Sequence, residues 1–224
     1  MKLSFLGTGA ADWELSKHKD VPGFRRNSAL LIDGCLLIDP GPDVPDALAT
    51  FGKDAGDIRY VINTHKHRDH YNKDTLDSLG GATFYPLADG ETVTFGKYTV
   101  TAYAANHATC EGTVHFIISD GERKLFYGLD GAWLNYKEAR AIRDTRVDLA
   151  VMDATIGEIS GDWRIFEHNN LNMVREIKAT LGAYVGRWII SHLARTLHPS
   201  HDEVSESMKK YDIEVAYDGF ETEI

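Results

Sequence analysis

The segment Thr64-His65-Lys66-His67-Arg68-Asp69-His70 directly follows the apolar run Tyr60-Val61-Ile62-Asn63. Three histidines and one aspartate at the end of a predicted strand are poorly suited to a hydrophobic core, whereas imidazole and carboxylate are usual ligands of zinc and similar divalent ions. In a loop, His65 and His67 can point to one side while Asp69 and His70 turn to the other. The pattern therefore predicts one loop that serves two metal ions; the alternative is a solvated polar loop.

Three further polar residues stand in similar places. His107 follows the predicted strand YTVTAYAA, Asp130 follows KLFYGL, and His192 follows GRWII. Sites are commonly assembled from loops at the strand ends of a rigid scaffold. Each residue also has an ordinary structural interpretation: a hydrogen-bonded loop histidine, a turn-forming aspartate before Gly131, and a buried histidine. Taken together with the His-rich segment, the three are candidate metal ligands.

The hydrophobic pattern indicates a mixed α/β chain. SALLID and CLLIDP flank Asp33-Gly34, a strong hairpin signal, and the apolar runs after residue 82 alternate as strands do. Residues 135–144 and 169–181 are typical of helices, and the Ser200-to-Glu203 spacing predicts a capping box and a helix to about Lys210. We expect the chain to close with the strand IEVAYDG. Two packed sheets with helices outside form an αββα sandwich, which we predict as a single domain over residues 1–224.

Composition limits the class of protein. The chain has 224 residues, 43% of them hydrophobic, and a formal net charge of −10. Long nucleic acids are bound through clustered Lys and Arg, so this charge argues against such a partner but not against a small anionic substrate. No apolar run reaches the roughly 18 residues that span a membrane, and the first residues lack a secretory pattern. We therefore expect a cytoplasmic protein without a membrane partner, in which Cys35 and Cys110 stay unpaired thiols.

The chain resembles the metallo-β-lactamase superfamily over nearly its whole length. The resemblance rests on Gly7-Thr8-Gly9, Leu37-Ile38-Asp39, the H-x-H-x-D-H motif, and the later His107, Asp130 and His192. It implies that His65, His67 and His107 bind one divalent ion, zinc or manganese. It implies that Asp69, His70 and His192 bind a second, with Asp130 bridging the two.

Within the superfamily, the phosphodiesterase branch is the most similar. The sequence around His107 lacks the G-H-T-x-G-H signature of glyoxalase II and related thioesterases or lactonases. The greatest similarity is to the cyclic-phosphate phosphodiesterase of the phosphonate (carbon–phosphorus lyase) pathway, through Phe24–Asn27, Val151–Asp153, Glu167–Asn172 and Val215–Phe220. One departure concerns residues 12–22, where that enzyme carries a Cys-rich zinc loop and this chain has no cysteine.

The resemblance implies a metal-dependent phosphoric diester hydrolase acting on a small, cyclic phosphodiester. In this hypothesis a hydroxide bridging two ions roughly 3.5–4 Å apart attacks phosphorus, Asp69 orients it, and His168 protonates the leaving oxygen or binds a phosphoryl oxygen. Asp39 and Asp153 are expected to orient metal-bound imidazoles. Arg25 and Arg26 are candidate phosphate contacts, with solvated loop arginines as the alternative. Dimers are common in this group, which is compatible with a homodimer.

Three other functions stay open at this stage. A tRNA 3′-processing endoribonuclease shares the metal set, although the acidic balance and the lack of a basic arm count against it. A thioesterase or lactonase could use the same metals. A non-catalytic metal-binding protein on this scaffold is the third option, which the complete ligand set disfavours because degenerate members would be expected to lose ligands.

Overall fold

A computed structural model describes residues 1–224. The strands are β1 (Lys2–Gly7), β2 (Ala29–Ile32), β3 (Leu36–Ile38), β4 (Tyr60–Ile62), β5 (Thr83–Tyr85), β6 (Thr92–Phe95), β7 (Tyr98–Ala104), β8 (Val114–Ser119), β9 (Lys124–Gly128), β10 (Val147–Asp153), β11 (Val185–Ser191), β12 (Glu214–Val215) and β13 (Glu221–Glu223). The helices are α1 (Leu15–His18), α2 (Val44–Thr50), α3 (Lys73–Ser78), α4 (Tyr136–Thr145), α5 (Leu171–Leu181) and α6 (His201–Lys209). None of them is both long and apolar enough to cross a membrane.

The strands form two sheets. One has six strands in the order β13-β1-β2-β3-β4-β5, and the other has seven in the order β12-β11-β10-β9-β8-β7-β6. The predicted hairpin between β2 and β3 is present, and both Asp33 (φ 49°) and Gly34 (φ 70°) adopt the left-handed conformation that such turns require. Strands β3, β4 and β5 run parallel in the first sheet, as do β9, β10, β11 and β12 in the second.

The main core lies between the sheets. It contains Phe5 and Ile38 from the first sheet and Phe116, Tyr127 and Val151 from the second, all at most 1% exposed. A second apolar layer joins the outer face of the seven-stranded sheet to α4, α5 and α6, and a third joins the six-stranded sheet to α2 and the residues after α3. The architecture is thus the αββα sandwich that the pattern predicted.

Parallel strands bring their carboxyl ends to the same edge of a sheet. At this edge lie Asp39 after β3, Asp130 shortly after β9 and His192 after β11, and all three have positive φ values, of 63°, 56° and 61°. Asp and His are among the non-glycine residues found in this conformation, which is otherwise unfavourable. Such backbone geometry tends to cluster at functional sites. The sharp turns direct these polar side chains into the cleft between the sheets.

The end of the chain differs from the predicted strand IEVAYDG. Strand β12 covers only Glu214–Val215, after which the chain turns and returns as β13, antiparallel to β1. The turn forms because the Asp218 carboxylate accepts hydrogen bonds from the backbone N–H of Arg26 at 2.6 Å and the Thr8 hydroxyl at 2.8 Å. These partners are distant in sequence, so local periodicity could not reveal the turn.

Candidate active site

Three histidines gather at one side of the cleft. His65 and His67 come from the loop after β4, and His107 comes from the loop after β7. Their candidate ligand atoms lie within 4.8 Å of one another, and His107 Nε2 lies 3.1 Å from His67 Nδ1. Three imidazoles converging in this way fit a divalent metal ion.

A second cluster lies beside the first and is fully buried. It contains Asp69, His70, Asp130 and His192, with His70 Nε2 3.1 Å from His192 Nε2 and 3.4 Å from Asp69 Oδ2. Asp130 lies between the clusters, since its Oδ2 is 2.6 Å from His70 Nε2 and 3.3 Å from His65 Nε2. The structure therefore brings all seven sequence-predicted ligands together, with Asp130 in a bridging place.

Buried polar atoms without a good hydrogen bond indicate whether this donor set suits metal ions. His65 Nε2 and Asp130 Oδ1 are buried and make no hydrogen bond of good geometry, although polar atoms of Asp130 and His168 lie 3.3 Å and 3.1 Å from them, respectively. Leaving such groups unsatisfied in the interior is costly, so they are normally paired with protein, water or an ion. Imidazole nitrogens and carboxylate oxygens are good ligands for zinc or manganese. The cluster accordingly fits divalent ions better than it fits a packed core.

Hydrogen bonds fix the orientation of the candidate ligand imidazoles. His70 Nδ1 donates to Asp39 Oδ2 at 2.9 Å, and His192 Nδ1 donates to the Thr155 hydroxyl at 2.7 Å. Binding the Nδ1 proton selects the tautomer whose Nε2 lone pair faces the cleft, as metal ligation requires. His65 Nδ1 and His107 Nδ1 are held in the same way, by the Thr64 hydroxyl and the Glu167 carbonyl.

Burial and the nearby carboxylates set the charges of this site. Burial, assisted by the charge of His70, lowers the pKa of His65 to about 2. Burial also disfavours the charged form of His192, but Asp130 and the other nearby carboxylates outweigh it and raise its pKa to about 9. Binding a metal ion displaces protons from its ligands, so a protonated His192 would release its proton on loading.

His168 is not one of the seven candidate ligands, but it lies beside them and forms a further His/Asp group with Asp130, Asp153 and His192. Its Nδ1 lies 3.0 Å from Asp153 Oδ2 and 3.1 Å from Asp130 Oδ1, and 16% of its side chain is exposed. Burial opposes a charge on this imidazole, yet Asp153 and Asp130 raise its pKa well above the ordinary value. Because Nδ1 is turned toward the carboxylates, Nε2 is on the opposite side of the ring. His168 therefore lies at the edge of the cleft with Nδ1 against two carboxylates and Nε2 directed away from them.

A cavity of about 310 Å³ opens over the cluster. Its lining includes His67, Asp69, His107, Asp130, His168 and His192, together with Asp12, Thr109, Arg164, Glu167 and Thr196. Neither Arg25 nor Arg26 reaches it, and the Arg26 guanidinium is bound to Asp46 at 2.6 Å. The cationic side chain on this wall is Arg164, which is held by Asp162.

Two residues of the candidate site could not be identified from the sequence. Thr155 lies between Asp153 and His192, and Arg164 belongs to a 3₁₀ turn (Trp163–Phe166) just before His168. A threonine two residues after a strand-end aspartate and an arginine in an irregular segment carry no distinctive local pattern. Only the register of Asp153 opposite Ser191 in the β10–β11 pair brings Thr155 to His192.

Gly41→Ala is expected to displace the backbone of the candidate ligand Asp69. A Cβ added at Gly41 would collide with the backbone carbonyl oxygen of Asp69, which cannot move away as a flexible side chain could. We expect weaker metal binding and a loss of about 1–3 kcal/mol of stability, as for overpacking in a core. Thermal unfolding and metal titration measure both effects. Gly81→Ala is the matched control, because a Cβ there meets nothing within 4 Å. Equal behaviour of the two variants would contradict the prediction.

Comparison with known proteins agrees with this geometry. The family model of the metallo-beta-lactamase superfamily matches residues 22–72, which include the His-rich loop. The 1.98-Å structure of Zn²⁺-bound PqqB from Methylobacterium extorquens superposes with a TM-score of 0.76 over 100% of both chains, at 18% identity. The chain has the metallo-β-lactamase fold. The structural likeness shows the fold, and the family model covers the segment that contains the His-rich loop.

Other proteins with this fold are comparably similar. A diphosphatase of the PhnP family has a TM-score of 0.74, with 16% identity over 100% of this chain and 97% of that one. Human tRNase Z, short form, also has a TM-score of 0.74, with 17% identity over 100% and 99%. UPF0173 proteins of Pyrococcus furiosus and Pyrococcus abyssi are each 27% identical over 112 residues, 42% of this chain. The match spans about half the length of these curated relatives.

Proposed function

We propose that this metallo-β-lactamase-fold chain is a dinuclear metal-dependent hydrolase of a small phosphodiester. The observation that carries the proposal is the His168–Asp153 pair directly beside the two ligand clusters, with Nδ1–Oδ2 at 3.0 Å. A hydrolase of phosphodiesters must stabilise charge on phosphoryl oxygens and protonate an alkoxide leaving group. The cleft combines a set of candidate ligands for two ions with a separate, carboxylate-supported imidazole.

One ion would be held by His65, His67 and His107. The other would be held by Asp69, His70 and His192, and Asp130 would contact both. Two such ions supply a water of lowered pKa and positive charge for the phosphoryl oxygens. The protein itself contributes the orientation of the ligands through Asp39 and Thr155. Zinc and manganese both suit this donor set.

On the protein side, His168 gives its Nε2 proton to the leaving oxygen. Asp153 holds the imidazole by Nδ1 and is itself fixed by the backbone N–H groups of Asn169 at 2.9 Å and Thr155 at 3.1 Å. Arg164 is placed to bind a phosphoryl oxygen from the cavity wall. A cavity of about 310 Å³ favours a small substrate such as a cyclic phosphodiester over a long polymer.

Hydrolysis of bis(p-nitrophenyl) phosphate by zinc- or manganese-loaded protein tests the proposal. We expect turnover that chelation removes, that returning the metal restores, and that Asp69→Ala abolishes. Asp74→Ala, an exposed aspartate on α3, is the matched control. A panel of cyclic phosphates then ranks natural substrates.

Three other experimental outcomes would contradict the phosphodiesterase proposal or favour another substrate. Absence of phosphodiester turnover with two metals measured per chain would overturn the proposal. Hydrolysis of thioesters or lactones under the same conditions would assign the site to those substrates. Cleavage of precursor tRNA that becomes steeply stronger at low salt would favour the endoribonuclease.

A further inference from the structure

A second cavity lies on the other side of the segment that follows His192. We call it the Arg25 cavity; it has a volume of about 570 Å³ and is lined by Trp13, Arg25, Arg195, His198, His201 and Asp202, among others. Ala194 lines both this cavity and the one over the metal-ligand clusters. The Asp12 carboxylate ties the shared wall together, since it accepts hydrogen bonds from the backbone N–H of Arg195 at 2.8 Å and of Thr196 at 3.1 Å.

The charge of the Arg25 cavity is opposite to that of the chain. The protein carries a formal net charge of −10, yet two arginines and three histidines line this cavity against a single carboxylate, that of Asp202. A random stretch of this surface would be acidic. A local basic concave surface in an acidic protein focuses small anions.

Arg25 is the unusual member, because its guanidinium is buried without a carboxylate partner. The side chain donates to the Thr8 hydroxyl at 2.6 Å, to the Ala216 carbonyl at 2.7 Å and to His201 Nδ1 at 3.0 Å. The residue is only 6% exposed, and no carboxylate oxygen lies within ion-pair distance of it. The nearby Asp218 carboxylate binds the backbone N–H and the guanidinium of Arg26 instead.

Three neutral acceptors satisfy hydrogen bonds of Arg25, and the Asp218 carboxylate stabilises its charge only from beyond Thr8, since its direct ion pair is with Arg26. A buried charge is expensive unless it is paired, and its removal from water is the larger part of that cost. Arg25 Nε–H makes no hydrogen bond in the protein, so the guanidinium keeps donor capacity for a ligand. An oxyanion in the cavity would supply a counter-charge in direct contact with the guanidinium.

His198 adds a second unsatisfied group at the same wall. Its Nε2 donates to the Ala154 carbonyl at 2.7 Å, while its Nδ1 is buried and has no partner. That nitrogen is closed off from solvent in this structure, so a ligand reaches it only if the cavity wall shifts; it can then accept a hydrogen bond from a P–OH group or, when protonated, donate to a phosphate oxygen. A simple carboxylate could use only Arg25, whereas hydrogen phosphate offers O⁻ to the arginine and OH to a neutral His198, and the dianion of a phosphomonoester would pair with a protonated His198.

We propose that the Arg25 cavity binds a phosphate group, either free or as a phosphomonoester, at a site separate from the metal-ligand clusters. Arg25 and Arg195 provide the positive charge, and His198 contacts the phosphate through Nδ1, the ring nitrogen that does not bind Ala154. The bound phosphate would stabilise the position of the segment that follows His192. The site does not require the proposed hydrolysis, so it can be tested independently.

Calorimetric titration of inorganic phosphate into the metal-loaded protein tests the site. We expect a class of phosphate binding that persists when the metal ions are saturated by a competing ligand. Arg195→Met should weaken it about tenfold, because one charge-assisted hydrogen bond is lost. Arg123→Met is the control, since it removes an exposed arginine from the β8–β9 hairpin, outside the lining of the Arg25 cavity.

Arg25→Met should weaken phosphate binding further, with circular dichroism to check folding because Arg25 also holds Ala216. Arg195 is exposed and its guanidinium makes one hydrogen bond, to the Asp12 carbonyl at 3.3 Å, so its variant folds in either case. Unchanged phosphate affinity in Arg195→Met and His198→Leu would overturn the site. So would phosphate binding confined to the metal ions.

A kinetic comparison separates the two sources of phosphate, and this arm alone rests on the proposed function. Two diester substrates are compared, one of which carries an additional phosphomonoester. If Arg195→Met raises KM only for that substrate, the cavity binds a group of the substrate. If phosphate binding weakens while both KM values stay the same, the ligand is free phosphate. A protein that cleaves neither diester still gives a decisive titration.

Discussion

Replacing Asp130 by Asn is expected to abolish metal-dependent turnover while leaving the chain folded. Asp130 is 2% exposed, and its Oδ2 faces both His65 and His70. Asparagine keeps one oxygen but loses the negative charge that the two proposed cations would share. Replacing a mere orienting partner of a metal ligand typically costs about 10–100-fold, so we expect a loss above about 100-fold here. Metal analysis should find fewer than two ions per chain.

Substitution by Asn removes the charge of Asp130 without straining the backbone at that position. Asp130 has φ of 56°, a left-handed conformation that Asn tolerates and Ala does not. Asp212→Asn is the matched control, because Asp212 has φ of 54° and its side chain is 98% exposed. The control should retain full activity and metal content. Two tightly bound ions and normal kcat/KM in Asp130→Asn would remove the bridging role from this residue.

The ligand clusters could be predicted from sequence because their positions follow from strand ends. A polar residue after an apolar strand needs no knowledge of the partner strand, and parallel strands place their carboxyl ends together. His65, Asp130 and His192 were found in this way, and the resemblance to a known family supplied their assignment to two ions. The predicted sandwich is confirmed for the same reason: apolar periodicity determines which faces of a strand are buried.

The rest of the site depends on contacts between distant segments. Arg25 and Arg26 are adjacent in sequence, yet Arg26 binds Asp46 and Asp218, whereas Arg25 is buried against Ala216 and His201. Neither lines the metal-ligand cavity, where Arg164 stands instead. The same Asp218 contacts end the predicted last strand early. Except for Asp46, these partners lie 176 to 192 residues away along the chain, so no local pattern encodes them.

His168→Gln should lower kcat strongly for substrates with a poor leaving group and only weakly for those with a good one. General acid catalysis typically contributes about 10²–10⁴-fold, and p-nitrophenolate leaves without needing a proton. An alkyl phosphodiester therefore reports the full loss, while bis(p-nitrophenyl) phosphate serves as the internal control. Glutamine retains hydrogen bonding toward Asp153 but has no proton to give.

The ratio between the two substrates distinguishes two roles for His168. If it acts as a phosphate ligand, both substrates lose rate equally, because both present the same phosphoryl oxygens. If it donates a proton, the losses differ by about 100-fold or more. Metal content must stay at the wild-type value in either case, since His168 Nδ1 faces Asp153 and Asp130 without belonging to the seven proposed ligands. The buried Asp153, held by two backbone N–H groups, is a rigid support for such a donor, and this geometry favours the unequal result.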